Sequence, residues 1–139
     1  MFGLIHSLDS PKLAASLDKH GAALGMQVRV LVEVNVGGEP GKSGIRDNEL
    51  ISLLQACRLH AHLTIEGLMA IPPFREDPEE IRPFFRRLRA LRDQISTNHP
   101  DYQLKHLSMG MSHDFEVAIE EGATLVRIGT AIFGERPQA

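Results

Sequence analysis

The chain lacks tryptophan altogether and holds one tyrosine and one cysteine among 139 residues. With only Tyr102 to stack on a base, and 18 acidic against 15 basic side chains for a net charge of −3, nucleic acid is not an expected partner. No apolar run approaches the length of a membrane span, and no basic-then-apolar signal opens the chain. No membrane partner is expected, and the cytoplasm is the default location. Cys57 falls in a helical pattern beside Leu53 and Leu54 and reads as a small buried hydrophobe rather than a reactive thiol. The seven histidines show no metal-ligand spacing. His60-x-His62 lies at a helix-to-strand connection without a third acidic or cysteine ligand nearby, so no metal is expected. What remains, with 42% apolar and 24% charged residues, is an ordinary globular composition at the length of one domain, residues 1–139.

What is present alternates in a regular way. Leu4–Leu8 reads as a short buried strand. Ser10-Pro11 is an N-cap followed by a first-turn proline, and Leu13, Leu17 and Leu24 mark a helix face that Gly25 stops. Residues 28–36 form the clearest strand: five valines (Val28, Val30, Val32, Val34, Val36) share one face, and Leu31, Glu33 and Asn35 share the other. Asn35, at the C-terminal end, either faces a ligand or is satisfied by a loop. Asp47 is the next N-cap, opening a helix with Leu50, Leu53, Leu54 and Cys57. The strand 63–71 follows, ended by Pro72-Pro73, with Gly67 signalling a close backbone approach and Met69 a choice between core and pocket lining. Asp77-Pro78 opens a long helix with Ile81, Phe84, Phe85, Leu88, Leu91 and Ile95 at helical spacing, bent near Pro83. Its arginines (Arg82, Arg86, Arg87, Arg89, Arg92) read as a solvated face rather than an anion site. Strands near 104–109 and 125–129 complete five strands and four connecting helices, the order of a parallel α/β protein.

Two stretches invite a phosphate. Residues 37–44 mimic a nucleotide-binding loop, but the pattern needs glycine where Val36 stands, and Gly44 interrupts the helix that should begin at Lys42-Ser43, so that reading is refused. Residues 107–112 are different. Ser112 follows a strand and a small-residue turn and precedes the helical pattern Phe115, Ala118, Ile119, which makes it a natural N-cap, with Asp114 in the first turn and Gly122 as the stop. Gly129-Thr130, after the next strand, offers a second turn with bare amides and a hydroxyl. In a parallel sheet both turns lie on one rim, where a (β/α)₈ barrel commonly holds phosphate. On these features alone an ordinary strand-to-helix connection remains open.

The string Ser108-Met109-Gly110-Met111-Ser112, then Asp114-Phe115-Glu116, Gly122-Ala123-Thr124 and residues 126–134 (Val-Arg-Ile-Gly-Thr-Ala-Ile-Phe-Gly) closely resembles the C-terminal signature of the pyridoxal phosphate homeostasis protein family. These are single-domain relatives of the alanine racemase barrel. The valine run ending in Asn35, the Gly/Glu/Lys loop after it and the Gly-Leu-Met-x-Ile-Pro-Pro run at Gly67 fit the same family. The resemblance implies pyridoxal 5′-phosphate as cofactor in a non-catalytic role in intracellular homeostasis. It implies phosphate held by Ser112, Gly129 and Thr130, Arg127 near the pyridine nitrogen, and Asn35 and Met69 lining the ring. The alternative for Arg127 is a rim residue paired with Glu116 or Asp114.

The resemblance aligns with strands four to eight of such a barrel. It implies that three N-terminal βα units are absent, and with them the Schiff-base lysine, a role that none of Lys12, Lys19, Lys42 or Lys105 matches. Open apolar edges on the first and last strands then suggest self-association. Two rivals stand beside this reading. One is a cofactor-dependent amino-acid racemase, aldolase or decarboxylase on the same barrel. The other is a degenerate barrel fragment that binds a phosphate-containing metabolite.

Overall fold

A computed structural model of the chain describes residues 5–38, 44–128 and 131–133. Four strands lie side by side in chain order and in parallel: β1 (Ile5–Leu8), β2 (Val28–Glu33), β3 (Leu63–Met69) and β4 (His106–Ser108). Three helices connect them: α1 (Pro11–Leu24), α2 (Leu50–Cys57) and α3 (Arg82–Asn98). A short α4 (Phe115–Glu120) leads to β5 (Val126–Ile128), which turns back into β6 (Ala131–Phe133) as an antiparallel pair. The sheet is an open parallel one with β1 at its edge. A parallel bridge from Ser108 to Leu125 continues the order from β4 toward β5.

The two faces of β2 have different company. Val28, Val30, Val32, Val34 and Val36 are all buried in the main core with Leu53, Leu54, Phe85 and Leu88 from the helices. Leu31 instead joins Met69 and Leu125 in a second, smaller cluster on the other face. The period-2 pattern thus sorts side chains as expected, the valines beneath the helices and Leu31 inside the curve of the sheet. Each fully buried leucine in the main core is worth roughly 2–3 kcal/mol of transfer free energy. Gly67 permits the β3–β4 contact: a Cβ there would overlap the His106 carbonyl oxygen and lie 2.7 Å from its carbon.

Several local expectations hold. Ser10 accepts a hydrogen bond from the Leu13 amide at 3.1 Å, and Gly25 caps the other end of α1 in the left-handed conformation. Others are corrected. Leu13 and Leu17 pack against the core as expected, beside the buried Ala14 and Gly21, but Leu24 is 60% exposed. Asp47 is not an N-cap: Arg46 holds the cap position, a single 3₁₀ turn spans Asp47–Glu49, and the Asp47 carboxylate accepts from Arg87. The strands from 28 and 63 end at Glu33 and Met69, short of 36 and 71, and past β2 Val34 pairs with Ile45 in a separate parallel bridge. Pro83 does not bend a long helix. A 3₁₀ turn at Pro78–Glu80 precedes α3, and Pro83 falls in the first turn, where a missing N–H leaves no helical bond unmade. The strand β6 adds a sixth to the five expected.

The arginines of α3 are tied to carboxylates. Arg82 bonds Glu79, Glu120 and Glu121, and Arg86 bonds Glu121 through both Nε and Nη2. Glu121 is buried, and its two arginines, Arg86 first, pull its carboxyl down to about 2. Arg89 and Arg92 both reach Asp93. The cluster fastens α4 to α3. Elsewhere, Asp18 of α1 accepts from the His62 amide at 2.7 Å and lies 3.3 Å from His60 Nδ1. Cys57 is buried, and that burial pushes its thiol up to about 11. Among the described residues no helix is long and apolar enough to cross a membrane.

Candidate cofactor site at the strand ends

The C-terminal ends of β2, β3 and β4 bring one row of side chains together. Glu33 is in register with Met69, and Met69 with Ser108. Leu107 and Met109 belong to the helix-side core, so alternation turns Ser108 to the face that carries Leu31 and Met69. Glu33 is 5% exposed, Met69 4% and Ser108 not at all.

Arg127 lies above this row. Its backbone N–H donates to the Gly110 carbonyl at 2.9 Å, which fixes β5 beside the small-residue turn. Its side chain reaches back across the sheet: Nη1 donates to Ser108 Oγ at 2.8 Å and Nη2 to the Ala70 carbonyl at 3.3 Å. Burial lowers the Arg127 pKa, and the charges of Glu33 and Asp114 act in the opposite sense. A guanidinium stays protonated in proteins, so Arg127 is a cation held at the strand ends. The expected alternative, a direct pair with Glu116 or Asp114, gives way to these two neutral acceptors.

Gly110 makes the turn compact. It sits at φ 103°, and a Cβ there would come within 2.6 Å of Ala118 Cβ, so the turn packs directly on α4. Ser112 is exposed in this turn and does not cap the helix. Asp114 occupies the cap position, and its Oδ1 accepts from the Met111 amide at 2.7 Å. That amide precedes the helix, so α4 begins without a side-chain cap bond from Asp114. On its outer side Ser112 borders a shallow cleft of about 220 Å³ that also carries Asp77, Glu79, Asp114 and Glu116. Four carboxylates repel a phosphate, so the side of the turn nearer Arg127 is the one suited to an anion.

Asn35 is partly buried just beyond Glu33, and its amide donates to the Ile45 carbonyl at 2.9 Å. The Ile45 amide in turn donates to the Glu33 carbonyl at 2.8 Å, and the Gly44 amide to Asp9 Oδ2 at 3.3 Å. These bonds hold the Asn35 backbone against the returning loop. Gly129, Thr130 and Lys42 lie outside the described residues. Of the expected site residues, then, Arg127 and Met69 meet around Ser108, Asn35 stands two residues beyond Glu33 on the same rim, and Ser112 stands on the adjoining turn. Ser108, Glu33 and the Ala70 carbonyl had not been singled out. Ser108 stood in the motif, yet only strand register shows that it touches Arg127.

A model of the family described as "Alanine racemase, N-terminal domain" matches residues 2–137. The chain belongs to that family. Within the alanine racemase N-terminal domain family, the resemblance to the pyridoxal phosphate homeostasis proteins extends along the chain. It is 52% identical over 133 residues to the pyridoxal phosphate homeostasis protein of Aquifex aeolicus, an alignment covering 96% of this chain and 58% of that one. Among solved structures, PipY of Synechococcus elongatus with pyridoxal phosphate bound is 33% identical with a TM-score of 0.83, covering 93% of this chain and 59% of PipY. D-Threonine aldolase from Filomicrobium marinum, at 20% identity and a TM-score of 0.73, shares the fold. The chain spans somewhat over half the length of these first two relatives.

Proposed function

We propose that this chain contributes to a pyridoxal 5′-phosphate-binding protein of intracellular cofactor homeostasis, located in the cytoplasm and without catalysis of its own. In this reading residues 1–139 are one unit, corresponding to strands four to eight of a (β/α)₈ barrel. The observation that carries it is Arg127, a cation anchored on the inner face at the strand ends beside a small-residue turn. The donor set suits the cofactor: a guanidinium, the Ser112 hydroxyl, the Asn35 carboxamide, and an apolar floor of Leu31, Met69 and Leu125. Ser112 with Gly129 and Thr130 would hold the phosphate, and Arg127 would lie by the ring nitrogen. Bound pyridoxal phosphate supplies an aldehyde that captures amines and a ring that withdraws electrons. A guanidinium beside the ring nitrogen disfavours its protonation and weakens that withdrawal, which suits a carrier better than a carbanion-stabilising enzyme. The names of the Aquifex protein and of the cofactor-bound PipY structure support the same ligand. The open edge at β1 is the surface on which self-association would occur.

The test is a titration of the purified chain with pyridoxal phosphate, read by absorbance, followed by borohydride reduction and mass mapping. A saturable shift without a stable adduct is expected, since none of this chain's lysines matches the anchoring position. A specific adduct on one lysine would move the anchor into this chain. Failure to saturate would reject binding by this chain, and cofactor-dependent racemisation of alanine would reject the non-catalytic reading.

A further inference from the structure

We propose that Ser108 is the positioning residue for Arg127, its hydroxyl aiming the guanidinium at the strand ends so that the cation meets the ring of bound pyridoxal phosphate. The inference rests on the cofactor reading above. Ser108 is completely buried, on the inner face between two residues that face the helices. A buried hydroxyl needs a partner, and this one accepts from Arg127 Nη1 at 2.8 Å. The second acceptor, the Ala70 carbonyl, comes from the end of β3. The third fixed point is the Arg127 backbone, held by Gly110. Three points on neighbouring segments define both the place and the plane of the guanidinium. A planar fork gripped at two of its nitrogens keeps its orientation, whereas a lysine ammonium would swivel.

The chemistry of the anchors matters as much as their number. A carboxylate bonded directly to Arg127 would hold it equally well but would neutralise it. A hydroxyl and a carbonyl are neutral acceptors, so the guanidinium is oriented while its charge stays available to a ligand. The carboxylates Glu33 and Asp114 act on Arg127 through the field, while its side-chain hydrogen bonds go to Ser108 Oγ and the Ala70 carbonyl. An apolar residue at position 108 would leave Nη1 without this acceptor and the guanidinium plane defined only by the longer bond to Ala70.

The experiment is a double-mutant cycle in the full chain, titrated with pyridoxal phosphate and, separately, with inorganic phosphate. Ser108→Ala is expected to weaken pyridoxal phosphate binding about tenfold, the effect of losing one charge-assisted hydrogen bond. It should leave inorganic phosphate binding unchanged and shift the pH dependence of the bound cofactor's absorbance. Ser108→Thr, which keeps the hydroxyl, should restore the wild-type profile. In an Arg127→Ala background, Ser108→Ala should have no further effect. Wild-type titration by Ser108→Ala, or losses that simply add in the double variant, would overturn the proposal. Absence of binding by the wild-type chain would count against the cofactor reading itself. In that case, or if Ser108→Ala fails to fold by circular dichroism, NMR of ¹⁵N-arginine-labelled wild-type chain decides. Two distinct, slowly exchanging Nη signals for Arg127 support the anchor, and a single averaged signal overturns it.

Discussion

Replacing Gly67 by alanine tests how closely β3 and β4 approach. Gly67 has no left-handed backbone, so alanine's own conformational preference is not at issue. The whole effect is contact. The new methyl carbon would overlap the His106 carbonyl oxygen, lying 2.7 Å from its carbon and 2.9 Å from its Cα, against 3.4 Å for ordinary contact. Both are backbone atoms, so relief requires one strand to move by at least about 0.7 Å, enough to weaken the adjoining ladder hydrogen bonds. Overpacking at about 1–3 kcal/mol and one or two weakened bonds at about 1 kcal/mol each give a loss of roughly 2–5 kcal/mol. That is a large part of the ~5–15 kcal/mol a domain has, and it should lower the melting temperature by roughly 5–20 °C. The assay is urea and thermal unfolding by circular dichroism, with Gly38→Ala as the control. Gly38 has φ 66° and nothing within 4 Å of a built Cβ, so alanine there meets only backbone strain of about 1–2 kcal/mol. A Gly67→Ala variant no less stable than Gly38→Ala would refute the reasoning. Because Ser108 lies two residues beyond His106, displacement of β4 should also weaken ligand binding at the strand ends.

Glu121 is held ionised by Arg86 and Arg82, with its carboxyl at about 2 against an ordinary 4.5. Its stabilising effect is complete above about pH 4.5 and is lost as the pH falls toward about 2. Unfolding followed by urea between pH 2 and 6 should show that slope flattened in Glu121→Gln, and an unchanged slope would contradict it. Cys57 should be inert to thiol reagents in the native chain at pH 8, since burial holds its thiol near 11, and should react fully in urea; stoichiometric native labelling would count against its burial. Ser10→Ala removes the acceptor for the Leu13 amide and should cost about 1 kcal/mol in chemical unfolding, while Ser10→Asp should preserve the cap.

The sequence carried the fold because its signals were local. The valine alternation of β2, the Ser10-Pro11 start and Gly25 stop of α1, and the leucine spacing of α2 each report on a few neighbouring residues. Gly67 was legible for the same reason, as a glycine out of place in a strand. Errors arose where two local groups competed or a distant one intervened. Ser112 suits a cap, but Asp114 takes that position and turns its carboxylate back to the Met111 amide. Asp47 lost its capping role to Arg87, forty positions away. Arg127 was recognised within a motif, but its partners were not, because Ala70 and Ser108 come beside it only through the pairing of three strands. The same holds for Glu33, which comes beside Met69 only through the pairing of β2 with β3.

The bond from the Arg127 amide to Gly110, with that from the Met109 amide to the Leu125 carbonyl, closes a loop of fewer than twenty residues around α4. Closing so short a segment sacrifices little chain entropy, and its contacts are local in the sense that favours rapid formation. The pair Ser108–Arg127 therefore belongs to a unit that can assemble early, before the longer excursions through α2 and α3 are complete. Only the bond to Ala70 must wait for β3. The orientation of the guanidinium would then be one of the last details of the rim to set, although its position is among the first.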